Sequence, residues 1–168
     1  MKKKISGIVL GLFVIFNVSG QMQIERIEAS YIANFMRYVK WPNQESLTTI
    51  KFGVYGKGTA IFKELSTKLD GKNVGTAIIK VVEISDEAEF SGCQLLFIPN
   101  GKSYKAKKAL KAMNSAVLII TEEQDFHPDY SIINFKVINS KLAFQLRNNI
   151  AEERNISISS RLQQMAAQ

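Results

Sequence analysis

Apolar residues recur at helical spacing from Ile24 onward. Ile24, Ile27, Tyr31, Phe35 and Tyr38 fall on one stripe, Ile32, Met36 and Val39 widen it, and Arg26, Ser30, Asn34 and Arg37 group opposite. The spacing predicts a helix from about Met22 to near Lys40, because Pro42 biases Trp41 away from helical geometry. After a polar loop the period shortens. "IKFGVYG" reads as a strand at about residues 50 to 56, and "KGTAIFKELSTKLDGK" as a helix with Thr59 as N-cap and Gly71 at its C-terminal end. "AIIKVVEI" is a β-branched strand, "SDEAEF" gives at most a short helical crossover, and "QLLFIP" is an apolar run of the kind buried on both faces. "KSYKAKKALKAM" is a helix with Ala106, Ala109, Leu110 and Met113 inward, followed by a buried strand, "AVLIITE".

This alternation predicts an α/β fold, an open and mainly parallel sheet of about six strands of the Rossmann or flavodoxin-like type. The end of the sheet changes character. "SIINFKVI" and "KLAFQLR" flank Asn139-Ser140, a two-residue loop of hairpin type. In that register Val137 faces Leu142, Phe135 faces Phe144 and Ile133 faces Leu146 on an apolar side. Asn134 meets Gln145 and Lys136 meets Ala143 on a largely polar side, where truncation is expected to cost little. The last segment reads as a helix, a break at Asn155 and a second helix.

The first twenty of the 168 residues have a different logic. Lys2, Lys3 and Lys4 precede an apolar run, and Val18-Ser19-Gly20 supplies small residues, the layout of a secretory leader cleaved near Gly20. The expected product, 21–168, is a single exported domain of 148 residues (168 − 20). Loss of three lysines takes the formal charge from +7 to +4 (7 − 3). That mild basicity, without aromatic-plus-basic motifs, makes no case for nucleic acid. Cys93 is the sole cysteine, which excludes an intrachain disulfide and reads as a small buried hydrophobe.

Candidate chemistry is sparse. Gly56-Lys57-Gly58 stands where the first strand meets its helix, and N–H groups there can bind phosphate. The segment nevertheless lacks the third glycine of a dinucleotide fingerprint and the Gly-Lys-Ser/Thr of a P-loop. His127, the only histidine, lies in "DFHPDY" without a second histidine or a cysteine nearby, so no zinc set forms. Ser159-Ser160 lacks the glycines of a nucleophile elbow. Lys105, Lys107, Lys108 and Lys111 spread over the outer surface of their helix, a solvated face or an attraction for an anionic surface. These readings predict no catalytic residues, no cofactor and no metal, and hence no enzyme.

"ASYIANFMRYVKWP" resembles the opening of the YfiR/HmsC-like family of small exported proteins. Cys93 before "QLLFIP", the strand "IINF" and the terminal "FQL…ISISSRLQQMA" fit in order, so the resemblance spans nearly the whole exported chain. Arg147 stands where the family usually carries Asn, and Asn155 where it has Gly, though Asn also tolerates the left-handed region. Redox behaviour that depends on paired cysteines in relatives has no intrachain counterpart here.

The resemblance implies a periplasmic repressor that binds the periplasmic sensing domain of an inner-membrane signalling protein, a diguanylate cyclase or a histidine kinase, and it implies a homodimer. Trp41 then has two readings: it pins the first helix to the sheet edge, or it joins Pro42 in a partner surface to which Arg147 and Arg161 are further candidates. The second function class is a periplasmic small-molecule sensor, with Gly56, Lys57, Gly58 and Thr59 lining the crevice at the C-terminal edge of a parallel sheet.

Overall fold

The computed structural model describes residues 15–113 and 115–166. The expected leader falls largely outside them, and residues 15–20 form the start of α1 (Ile15–Phe35). α1 stops at Phe35, a turn and a half before the predicted end. Residues 36–38 turn away, and Val39–Lys40 become β1, paired antiparallel with β9 (Ser157–Ile158). The Ser159 N–H also donates to the Tyr38 carbonyl at 2.9 Å. Tertiary hydrogen bonds from the far end of the chain thus outweigh the local helical pattern. The buried face of α1 is also rotated from the predicted stripe: Ile27 is 39% exposed, whereas Glu28 is 1% exposed and Glu25 is buried as well.

Among the described residues the main sheet has seven strands. β2 (Thr49–Tyr55), β4 (Ala77–Ile84), β5 (Leu95–Ile98), β6 (Leu118–Thr121) and β7 (Ile133–Ile138) run parallel in the spatial order β4-β2-β5-β6-β7. The short β3 (Asn73–Val74) and β8 (Lys141–Leu146) add antiparallel edges. The parallel order is the flavodoxin-like one, with its switch point between β2 and β5. β3 was not legible in the sequence, being two residues paired through a turn at Gly75, whose φ is 59°.

Both faces are covered, which explains the continuous apolar runs. Ile50, Phe52, Leu95, Phe97, Leu118 and Ile120 face α1, α2 (Ala60–Leu69) and the C-terminal elements. Tyr55, Leu96, Ile98 and Ile119 face α3 (Ser103–Ala112) and the 3-10 turn Glu87–Gly92. Thr59 caps α2 as predicted, accepting from the Phe62 N–H. Gly53 is a packing requirement: a Cβ there would lie 2.8 Å from Ile84 Cγ1 and 2.9 Å from Cys93 Sγ. Cys93 is a buried free thiol, as a small hydrophobe should be, and burial raises its pKa.

The hairpin has the predicted register throughout. Asn139 (φ 49°) and Ser140 (φ 61°) supply the paired positive φ values that match strand twist. Phe35 packs on both strands, its ring centroid 4.6 Å from that of Phe144 and 5.9 Å from that of Phe135. The polar side departs from expectation, because Asn134 is fully buried. Its Oδ1 accepts from Thr121 Oγ1 at 2.7 Å and the Glu123 N–H at 2.9 Å, while Nδ2 donates to the Glu123 carbonyl at 2.8 Å. The C-terminal segment forms α4 (Asn148–Glu153), the left-handed Asn155 (φ 56°), β9 and α5 (Ser160–Met165).

Candidate functional site

Trp41 follows β1 where the first helix hands over to the sheet. It does not face outward: the side chain is 4% exposed and belongs to the core beneath α1. Its indole N–H donates to the Gln94 carbonyl at 2.8 Å, and that oxygen also accepts the Leu118 N–H at 2.9 Å. Of the two readings of Trp41, the burial matches the one in which it pins the first helix to the sheet edge: an indole with one polar handle satisfies it best at a strand start, with its rings in the core. Pro42 beside it is exposed. A cavity of about 680 Å³ opens between Lys40, Trp41, residues 43–46 and the Gly75-Thr76 turn.

The two arginines lie apart. Arg161, exposed on α5, sits 6.0 Å from the Tyr38 ring centroid, on the β1–β9 corner that precedes Trp41. Arg147, at the start of α4, is half-buried and donates to the carbonyls of Pro128 (2.9 Å) and His127 (3.0 Å). Arg147 therefore braces a loop instead of joining the Trp41 corner. His127 is held neutral by burial and by that guanidinium, its pKa lowered to about 4, and its Nε2 lies 3.1 Å from the Ser131 carbonyl.

The switch-point crevice is assembled as a parallel sheet requires, with the loop Gly56–Thr59 after β2 facing residues 99–102 after β5. Several of its backbone donors are already engaged by the chain itself. The Gly58 N–H donates to Glu83. The Asn100 N–H donates to Glu122 at 2.7 Å, and the Gly101 and Ser103 N–H groups share a Glu123 oxygen. Lys102 lies against Gly56, where a Cβ would meet its Nζ at 2.2 Å, and its Nζ is 5.8 Å from the Tyr55 ring centroid. The Tyr55 hydroxyl donates to Glu87, which holds that carboxyl below the usual range, while burial raises the phenol. Lys57 is exposed beside this arrangement. An incoming anion would have to displace Glu83 and two further carboxylates, so the crevice geometry disfavours phosphate.

A feature the sequence pattern hid lies under α1. Burial, then the neighbouring Glu122 charge, raises the Glu28 carboxyl to about 10. Glu28 thus keeps its proton at neutral pH, and burial raises the neighbouring Glu122 carboxyl as well. No periodicity in the chain marks Glu28 as buried, because its burial depends on what packs beneath α1. Among the described residues no group of three or more His, Cys, Asp or Glu is placed to hold a metal ion, and no helix is long and apolar enough to cross a membrane.

A family model described as YfiR/HmsC-like matches residues 25–167, and the chain belongs to that family. No curated protein matches it.

Proposed function

We propose that this YfiR/HmsC-like protein is a non-catalytic, exported regulator that restrains an inner-membrane signalling enzyme by docking on its periplasmic sensing domain. The observation that carries the reading is the family match across residues 25–167, essentially the whole domain. The carboxylates on the Gly58, Asn100, Gly101 and Ser103 N–H groups support it, since a fold built for nucleotide or phosphate would leave those donors open. The partner is a diguanylate cyclase or a sensor kinase, and the working unit is a homodimer in the periplasm, released by cleavage near Gly20.

Deleting the gene should raise cyclic dinucleotide synthesis or phosphorelay output, and crosslinking in membranes should recover one signalling enzyme with a periplasmic domain. Unchanged output together with no recovered enzyme overturns the reading. The exported protein should have the intact mass of a chain beginning at or near Gln21; a mass retaining Met1 in the membrane fraction contradicts export. A second reading, a small-molecule sensor, is favoured by the cavity of about 680 Å³ beside Trp41. It predicts a saturable rise in melting temperature with a ligand, lost when Thr76→Trp fills that cavity.

A further inference from the structure

Two aromatic rings are left in water on the α3 side of the sheet. Tyr104, in the first turn of α3, is 90% exposed, and Phe126, in the loop after β6, is 52% exposed. A groove of about 290 Å³ lies here, with Ser103, Pro128 and Lys107 also in its lining.

The loop that carries Phe126 is anchored residue by residue. Asn134 Nδ2, fully buried, donates to the Phe126 carbonyl at 3.3 Å as well as to that of Glu123. Arg147 holds the next two carbonyls, those of His127 and Pro128. The Tyr130 hydroxyl donates to the Ser103 carbonyl at 2.8 Å, tying the loop to the start of α3. Three side chains thus fix the shape of a loop whose largest apolar side chain stays half in water. A surface shaped in advance loses little entropy on binding, and exposed aromatics set in such a frame have the composition of binding hot spots.

Charge defines the occupant further. Lys105 and Lys111 are paired with Glu87 and Asp129, whereas Lys107 and Lys108 have no carboxylate within 4.0 Å among the described residues. We infer that the groove docks a segment of a partner protein that inserts one apolar side chain between Tyr104 and Phe126 and sets carboxylates against Lys107 and Lys108. A concave site fits a single inserted side chain better than a flat bilayer does. That the segment belongs to a membrane enzyme's periplasmic domain rests on the regulator reading; the chemistry of the groove does not.

The test is an NMR titration of the isotope-labelled exported protein with three capped pentapeptides. One has Phe flanked by two Asp on each side, one has Ala in place of Phe, and one has Lys in place of every Asp. The acidic Phe peptide should shift amides 103–108 and 126–130 saturably, and the other two should bind at least about tenfold more weakly. Tyr104→Ser with Phe126→Ser should abolish those shifts, and Lys107→Gln with Lys108→Gln should weaken them severalfold, both at an unchanged melting temperature. Equal binding of all three peptides, or no saturable shift at millimolar peptide, overturns the inference. So does self-association, or binding to phosphatidylglycerol vesicles, that the Tyr104→Ser/Phe126→Ser protein loses. A membrane enzyme captured equally by wild type and that double variant overturns the groove and leaves the regulator reading standing. Saturable peptide binding with no membrane enzyme recovered does the reverse.

Discussion

Trp41 donates its indole N–H to the Gln94 carbonyl across 2.8 Å, joining residues 53 positions apart. The contact ties the exit of α1 to the start of β5, and the same oxygen binds the Leu118 N–H at the start of β6. One side chain therefore holds helix, strand and neighbouring strand together.

Trp41→Ala should destabilise the fold by about 3–5 kcal/mol, the usual cost of deleting a buried aromatic. Trp41→Phe keeps most of the packing, and Gln94 O keeps its Leu118 donor, so the loss should be closer to about 1–2 kcal/mol. Urea melts of both variants check this. Lost repression should track the folded fraction; an unchanged Trp41→Ala midpoint would return Trp41 to the surface role.

Asn134→Ala should cost about 2–4 kcal/mol, because it leaves the Glu123 N–H and carbonyl and Thr121 Oγ1 without that partner in a buried site. Phe135→Ala and Phe144→Ala should cost about 3–5 kcal/mol each. Lys136→Ala, only half-buried, should stay within about 0.5 kcal/mol. Denaturant midpoints for the four variants give the ranking, and an Asn134→Ala loss as small as that at Lys136 would remove the hub role.

Glu28 makes stability fall as pH rises. Its folded pKa is raised above the ordinary 4.5 to about 10, so between those values the native state holds a proton that the unfolded chain has lost. The contribution is fully present below pH 4.5 and is lost as pH climbs through about 10. From pH 7 to 9 the slope should be on the order of 1 kcal/mol per pH unit. This window excludes His127, whose lowered pKa acts in the opposite sense below about pH 6.5. Glu28→Gln should flatten the slope and raise the melting temperature at pH 8. Parallel pH profiles for the two proteins would contradict a proton held there.

Gly53→Ala should destabilise by about 1–3 kcal/mol through contact with Ile84 and Cys93. Cys93→Ala removes the sulfur that the new methyl would strike. The double variant should accordingly lose less than the two single losses added together, and simple additivity in melts would mean the clash is relieved elsewhere.

Much of this protein is legible along the chain because it depends on neighbours in sequence. The helix starting after Thr59, the apolar strands, the Asn139-Ser140 turn and the hairpin register follow from period, capping and turn chemistry, all set within a few residues. The sequence also carried the family resemblance that residues 25–167 bear out. What needed the tertiary structure involves partners far apart in the chain. β1 exists because Ser157 and Ile158 arrive beside Val39 and Lys40, and Trp41 is buried because Gln94 offers an acceptor at the strand start. Asn134 sits on the polar side of its hairpin yet is buried, because the loop after β6 folds back over it. Glu28 keeps a proton because packing beneath α1 buries it, with the charge of Glu122, just past the end of β6, adding to the effect. Periodicity reports which residues share a face; only the packed chain decides what covers that face, and desolvation then sets each polar group's charge and hydrogen bonds.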